Sequence, residues 1–363
     1  MENIPLLSRR QYLRAMLAAG AVSPLLLSLT GCKTTGQVCP DDPNESAGVD
    51  WAPDVLHPMF WGFQELAAGQ GGAPAAMRIY YPTYEGTPQN APILKLCLLR
   101  YPVVLFMHGQ PPCPDSFYFR RWQLLGMVLA RSGYVVVMPK HAAAIPVDGS
   151  GDVGVGLAAL DFVRNGWEHS NWVDSDATAT AVVGHSFGAL LAARVHKSRP
   201  TIGAYVGFSG VWTEVPDTIE LLESLQVPSF FTWATLAGPV SESMDNGGLW
   251  GHVPGPKSAA FFPGLHFDYL QPYECHAEGA CNLIPLVMAE LAALFITRHV
   301  PPKVSHAPIP PSLIPPAVTL TTKQQFFAGA HLNGIGLIES RQGCSIDLRW
   351  EDPLDTGHRH LGP

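Results

Sequence analysis

Short, continuous apolar runs alternate with helix-like segments through the middle of this 363-residue chain. An apolar run of about four to eight residues between turn signals is typical of a strand buried on both faces. When such strands alternate with helices, they form a parallel sheet that the helices cover on both sides. The predicted strands are 102–109, 134–139, 180–184, 204–209, 229–235 and 258–262, and the predicted helices are 120–133, 153–165, 189–197, 218–225 and 283–299. The alternation therefore predicts an α/β domain over residues 51–299, with a mostly parallel central sheet.

The two ends of this domain break the alternation. Residues 60–68 and 76–82 are rich in aromatic and β-branched residues and flank a Gly-rich turn, which predicts an N-terminal antiparallel hairpin. Residues 300–316 contain seven prolines and are predicted to be a linker, because proline continues neither a helix nor a central strand. Residues 317–363 are predicted to be a small β appendage with a tail, too short to hold a core of its own.

The N-terminus is organised like an export signal. An Arg9-Arg10 pair precedes a short apolar stretch from Ala15 to Leu29, and the sequence LTGC then ends at Cys32. The Arg pair within SRRQYL resembles a twin-arginine signal, with an ordinary secretory signal as the alternative, and LTGC resembles the motif cut before a lipid-modified cysteine. Residues 1–31 are therefore predicted to be a signal peptide and 32–50 a tether. We expect an exported lipoprotein, periplasmic or on the cell surface, anchored in the membrane by lipid on Cys32.

Charge and cysteine content narrow the choice of partners. The formal net charge is −8, and Lys and Arg do not cluster outside the N-terminus, so we expect no nucleic-acid partner. Besides Cys32 the chain has six cysteines, and an even number in an exported protein favours disulfides. Cys275 and Cys281 flank a short loop and are the first pair expected; a zinc site beside His276 is the alternative. Because the spacing lacks a C-x-x-C pair, a metal site is not expected. No other cofactor is expected either.

The sequence GHSFG, residues 184–188, places a serine between an apolar strand and a helix of small residues. This is the strand–turn–helix setting of a nucleophile elbow, in which Ser186 would be held on a strained turn at the head of the helix. The flanking glycines would let the strand and the helix approach closely, and the helix N-terminus would direct N–H groups at a substrate oxygen. The alternative is that Ser186 is only a small residue in a sharp corner.

With GHSFG and LFMHG (105–109), residues 58–299 resemble the α/β-hydrolase fold family, in particular its exported esterases, acetylhydrolase-like lipases and polyester hydrolases. The resemblance implies that the backbone N–H groups of Phe187 and of Gln110, or its neighbour Gly109, form the oxyanion hole. It also implies that His108 is structural. The catalytic base is expected late in the chain, just after the last strand, where FFPGLHFDYL (261–270) contains His266.

The catalytic acid is not assigned by the sequence. The first turn after the strand at 229–235 carries Ala237 and Gly238 where the family usually has an aspartate. Glu242 is the first carboxylate after it and is the preferred candidate, followed by Asp245 and by Glu214 after the preceding strand. Asp217 stands at the head of a helix and is better explained as its N-cap.

These residues predict a serine carboxylesterase or lipase-type hydrolase that works through an acyl-enzyme and a Ser-His-acid triad. The expected substrate is a small-molecule or polymer ester. Two other hypotheses remain open. One is an amidase or peptidase of the same fold, and the other is a catalytically inactive lipoprotein that only binds a ligand or partner at the surface.

Overall fold

The computed structural model describes residues 60–83, 89–95, 99–110, 118–142, 150–234, 244, 246–262, 266, 284–304, 347–351 and 358–359. The chain divides into two compact units, Met1–Cys39 and Pro40–Pro363, and every described residue belongs to the second. Among the described residues, no helix combines the length and the apolar character that crossing a membrane requires.

A mixed β-sheet runs through the described part of the chain. Its strands are β1 (Phe60–Leu66), β2 (Met77–Thr83), β4 (Val103–Met107), β5 (Val135–Pro139), β6 (Thr180–His185), β7 (Ala204–Phe208), β8 (Ser229–Ala234), β9 (Lys257–Phe262), β11 (Asp347–Glu351) and β12 (His358–Arg359). Their order across the sheet is β1-β2-β5-β4-β6-β7-β8-β9-β11-β12. The two-residue strands β3 (Leu99–Arg100) and β10 (Lys303–Val304) pair separately, so the first residues of the predicted proline-rich linker form a short ladder.

The central strands are parallel, and every residue of β4 and β6 is buried. β4 pairs with β6 in register from Val103 opposite Thr180 to Met107 opposite Gly184. At one side β2 runs antiparallel to both β5 and β1, with Phe60 opposite Thr83 and Leu66 opposite Met77. The apolar runs thus form the buried strands of a mostly parallel sheet, which confirms the α/β class.

Helices cover both faces of this sheet. They are α1 (Gln123–Arg131), α2 (Ser150–Asn165), α3 (Phe187–Ser198), α4 (Thr218–Ser224) and α5 (Ile284–His299). Successive strand residues point to opposite faces. On β4, Val104 and Phe106 join a core with α1 and α5. Leu105 and Met107 point to the other face of the sheet, where both lie within 3.3 Å of the position that a Cβ on Gly156 of α2 would take.

Two helix starts differ in detail from the sequence expectation. The helix expected from residue 120 begins with a 3-10 turn, Tyr118–Trp122, before α1 takes over. Asp217 does stand at the N-cap position of α4, but its side chain makes no capping hydrogen bond. Its carboxylate instead binds the guanidinium of Arg194 on α3, at 2.9 Å. A pairing between two helices is therefore what holds Asp217, and the capping explanation was wrong.

The described residues of the C-terminal segment extend the main sheet. β11 pairs antiparallel with the outer edge of β9, from Asp347 opposite Phe261 to Glu351 opposite Lys257, and β12 pairs with β11. The rest of the predicted appendage, including residues 317–346, lies outside the described residues.

Candidate active site

The site lies where the chain changes direction across the sheet. After β4 the chain passes through α1 to β5 on one side, and after β6 it passes through α3 to β7 on the other side. In open α/β sheets the crevice between two such diverging connections, at the carboxyl ends of the strands, is the usual binding site. The segments that meet there are His108–Gln110 and His185–Phe187.

Ser186 occupies the tight turn between β6 and α3. Its φ is 57° and its ψ −128°, a conformation that residues with a side chain rarely adopt. Its N–H donates to the carbonyl oxygen of Phe208 on β7 at 2.9 Å, and its carbonyl accepts from the N–H of Ala189 at 3.0 Å. Serine at this position usually caps the helix with its hydroxyl. Here the hydroxyl makes no capping bond, so the helix start does not account for it.

Two glycines permit the close approach of α3 to the sheet. A Cβ on Gly184 would collide with the carbonyl of Gly188, and a Cβ on Gly188 would collide with the carbonyl of Met107 on β4. Both obstacles are backbone atoms, which cannot move aside as a side chain can. The spacing of the glycines in GHSFG therefore has a steric cause, and it places the N-terminus of α3 directly against the end of β4.

The same packing brings a backbone segment of the β4 loop to Ser186. A Cβ on Gly109 would lie 2.6 Å from the Cβ of Ser186. The peptide that joins Gly109 to Gln110 therefore begins next to the serine. On the other side, Phe187 is the first residue of α3, and its N–H has no carbonyl partner within the helix. The N–H groups of Gln110 and Phe187, expected to be the oxyanion donors, thus belong to two segments that meet at Ser186.

His266 lies beside this turn. The Nε2–H of His185 donates to the carbonyl oxygen of His266 at 2.9 Å, and the two ring centroids are 4.9 Å apart. On its other side, the His185 ring packs on Trp122, with centroids 4.8 Å apart. His266 therefore contacts the residue that precedes the serine, while Gly109 lies against Ser186 itself, so segments near residues 109, 186 and 266 meet although they are far apart in the chain.

The candidate acids are not settled by the described residues. Glu242 and Asp245 lie outside them, and Glu214 ends the 3-10 turn Trp212–Glu214, with its side chain outside the described part. Next to Asp245, Met244 is fully buried, and its carbonyl accepts from the N–H of Trp250 at 2.8 Å. The lipidation and disulfide candidates, Cys32, Cys275 and Cys281, also lie outside the described residues.

Neither comparison with models of known protein families nor comparison with curated proteins gives a match.

A buried histidine pair beside the oxyanion segment was missed by the sequence analysis. The ring of His108, after β4, stacks on that of His141, after β5, with centroids 3.8 Å apart and planes at 14°. Asp152 of α2 places a carboxylate oxygen 3.7 Å from Nδ1 of His141. Burial, with the neighbouring His141, lowers the pKa of His108 to about 3, so its ring is neutral at pH 7. Two histidines just after adjacent apolar strands were the signal available in the sequence. Among the described residues, no group of three or more His, Cys, Asp or Glu could hold a metal ion.

Proposed function

We propose that this protein is a serine hydrolase of the α/β-hydrolase fold that cleaves carboxylic esters through an acyl-enzyme. The observation that carries the proposal is the backbone of Ser186. It is held at positive φ at the head of α3, at the point where the connections diverge, with a hydroxyl that does not cap the helix. Strain at such a place is characteristic of functional residues, and a nucleophile elbow requires it.

The arrangement of the sheet supports the fold assignment. From β1 to β9 the order is β1-β2-β5-β4-β6-β7-β8-β9, and among these strands only β2 runs against the others. Within this mostly parallel sheet, the serine lies on the turn from a central strand to a helix, which is the setting that a nucleophile elbow requires.

The proposed mechanism uses the groups gathered around Ser186. Ser186 attacks the ester carbonyl while His266 takes its proton and later passes it to the leaving alkoxide. The N–H groups of Phe187 and Gln110 stabilise the oxyanion of the tetrahedral intermediate, a contribution worth about 10²- to 10³-fold per donor. Water then hydrolyses the acyl-enzyme by the same steps. A carboxylate from Glu242, Asp245 or Glu214 would orient His266 and stabilise its charged form.

Location is part of the proposal. The protein is exported and held at the membrane by lipid on Cys32, with residues 33–50 as a tether, so it meets esters outside the cytoplasm. Mass spectrometry of the N-terminal peptide of the protein from membranes tests this directly. An unmodified peptide that begins at Met1 would contradict it.

The function is tested by labelling the purified protein with a fluorophosphonate and by turnover of p-nitrophenyl acetate and butyrate. We expect one adduct, mapped to Ser186, and loss of turnover by about 10³-fold or more in Ser186→Ala. Ser132→Ala is the matched control, because Ser132 lies just before the amino end of β5, whereas Ser186 lies at the carboxyl end of β6. His266→Ala is expected to lose turnover in the same way. His252→Ala, whose ring pairs with Glu223 on the surface, is expected to keep it.

The outcomes separate the alternatives. Faster turnover of an amide than of the matched ester would favour an amidase or peptidase of the same fold. A folded protein that shows neither an adduct nor turnover would reject the hydrolase and leave the surface-binding lipoprotein.

A further inference from the structure

The ring of His108 bonds the peptide that carries one of the proposed oxyanion donors. Its Nδ1 lies 2.8 Å from the carbonyl oxygen of Gly109. That carbonyl and the N–H of Gln110 are the two ends of one planar peptide and point in opposite directions. Whatever fixes the direction of the Gly109 carbonyl therefore fixes the direction of the Gln110 N–H.

The two ring nitrogens of His108 have different partners, and together these define its protonation. A carbonyl oxygen can only accept, so Nδ1 must carry the proton that is shared with Gly109. The N–H of His141 points at Nε2 from 3.4 Å, which is long for a hydrogen bond but requires Nε2 to be bare. Because burial keeps the pKa of this ring at about 3, it stays in the single neutral Nδ1–H form at pH 7.

The His108 ring cannot easily rotate away from this contact. One face of it is covered by the His141 ring. The backbone after His141 is fixed in turn, because one carboxylate oxygen of Asp152 accepts from the N–H of Ala142 at 2.9 Å. Both histidines and Asp152 are nine-tenths or more buried, so water does not compete strongly for these groups. The chain from α2 to the β4 loop is thus continuous: Asp152, the backbone at 141–142, His141, His108 and the Gly109–Gln110 peptide.

We propose that His108, clamped by His141 and Asp152, is a positioning residue that aims the Gln110 N–H at the oxyanion formed on Ser186. This inference rests on the proposed ester hydrolysis. It assigns the stacked pair to alignment of the transition state rather than to binding of the ester, since Gly109, whose carbonyl the His108 ring holds, lies against Ser186.

The test compares two replacements of His108. The side-chain amide of Asn can place an N–H near the position of Nδ1, whereas Leu has a similar bulk and no donor. We expect His108→Leu to lower kcat on the order of 10- to 100-fold with KM nearly unchanged, since a misaimed group weakens transition-state binding. The affinity for a trifluoromethyl ketone, which mimics the tetrahedral intermediate, is expected to fall by a similar factor. His108→Asn is expected to recover most of both losses.

His141 is tested through its coupling to His108. If both rings act on the same peptide, their effects are not additive. His141→Ala alone is expected to lower kcat less than His108→Leu, and adding it to His108→Leu is expected to change kcat no further. Independent, multiplied losses would overturn the clamp.

One measurement is made on the wild type, with a variant used only to assign the signal. In the wild type, ¹⁵N NMR of labelled histidine should show His108, assigned by the signal missing in His108→Asn, as a neutral ring with its proton on Nδ1. A proton on Nε2, or a charged ring at pH 7, would overturn the proposal even if His108→Leu does not fold. Full activity in His108→Leu, or a failure of Asn to rescue, would overturn it as well. If instead the wild type shows neither turnover nor a Ser186 adduct, the ester hydrolysis itself fails, a result distinct from all of these.

Discussion

Ser186 and Ser209 both have a positive φ, of 57° and 42°, at the ends of neighbouring strands. Each such conformation costs on the order of 1–3 kcal/mol and persists only where the surroundings determine it. The N–H of Ser186 donates to β7, and the N–H of Ser209 donates to Thr232 of β8 at 2.7 Å. At the carboxyl end of each of these two strands, a backbone hydrogen bond to the neighbouring strand therefore holds the serine in this conformation.

Replacing Ser186 by glycine and by alanine separates strain from chemistry. Both variants remove the hydroxyl, and both are expected to be inactive. Glycine adopts positive φ without a steric penalty, whereas alanine keeps the Cβ that makes it costly. We expect Ser186→Gly to be more stable than Ser186→Ala by about 1 kcal/mol, although glycine loses more entropy on folding. Urea unfolding of the two variants measures the difference, and an alanine variant of equal or greater stability would show that the turn is not strained.

At the scale of elements, two ion pairs join α3 to α4 with very different exposure. The carboxylate of Asp217 makes a bidentate contact with Arg194, whose side chain is only 10% exposed. The pair between Lys197 and Glu220 bridges the same helices, but its side chains are 40% and 68% exposed. Because α3 begins directly after Ser186, the inner pair also holds the helix whose N-terminus faces the site.

The inner pair is expected to contribute to stability and the outer pair hardly at all. Asp217→Ala leaves a mostly buried guanidinium without this carboxylate, for an expected loss of about 1–3 kcal/mol. Glu220→Ala is the matched control, with an expected change below about 0.5 kcal/mol. Thermal or urea unfolding compares them. Asn caps helices as well as Asp does. If Asp217→Asn were as stable as the wild type, helix capping rather than the pairing with Arg194 would account for the loss in Asp217→Ala.

At the scale of the whole molecule, the burial of His108 makes the fold sensitive to acid. The unfolded chain protonates this histidine below a pKa of about 6.5, whereas the folded protein does so only near 3. Between these values the unfolded state binds more protons, so the free energy of unfolding decreases as the pH falls through this window. The stability that the neutral ring retains above pH 6.5 is therefore lost progressively on acidification.

The His108→Asn variant isolates this contribution. A single histidine that titrates only when unfolded contributes a slope of up to about 1.4 kcal/mol per pH unit. We expect the wild type to lose stability between pH 6 and pH 5 more steeply than His108→Asn, by close to that slope. Urea unfolding at half-unit steps measures it. Parallel curves for the two proteins would mean that His108 is protonated as easily in the folded state as in the unfolded one.

How much the sequence could predict depended on whether a feature is local. The strands β1, β2 and β4 to β9, the helices and the turn at Ser186 follow from patterns within a few residues, and each was predicted near its observed place, whereas the two-residue strands β3, β10 and β12 were not predicted. The stack of His108 on His141 depends on β4 and β5 being neighbours, which periodicity does not specify. The same holds for Asp217. The sequence predicted its position at the head of α4, but it could not predict the ion pair with Arg194, which lies on another helix.

The pairing of β11 with β9 also sets an order of events during synthesis. Residues 263–346 separate the two strands in the chain, so β9 emerges from the ribosome long before its outer partner exists. Until then β9 presents a row of unpaired N–H and C=O groups, the kind of surface that recruits strands from other molecules. A chain interrupted before Asp347 would keep that row. Such a truncated chain would be expected to self-associate through β9, even though Ser186 and the residues around it are all present.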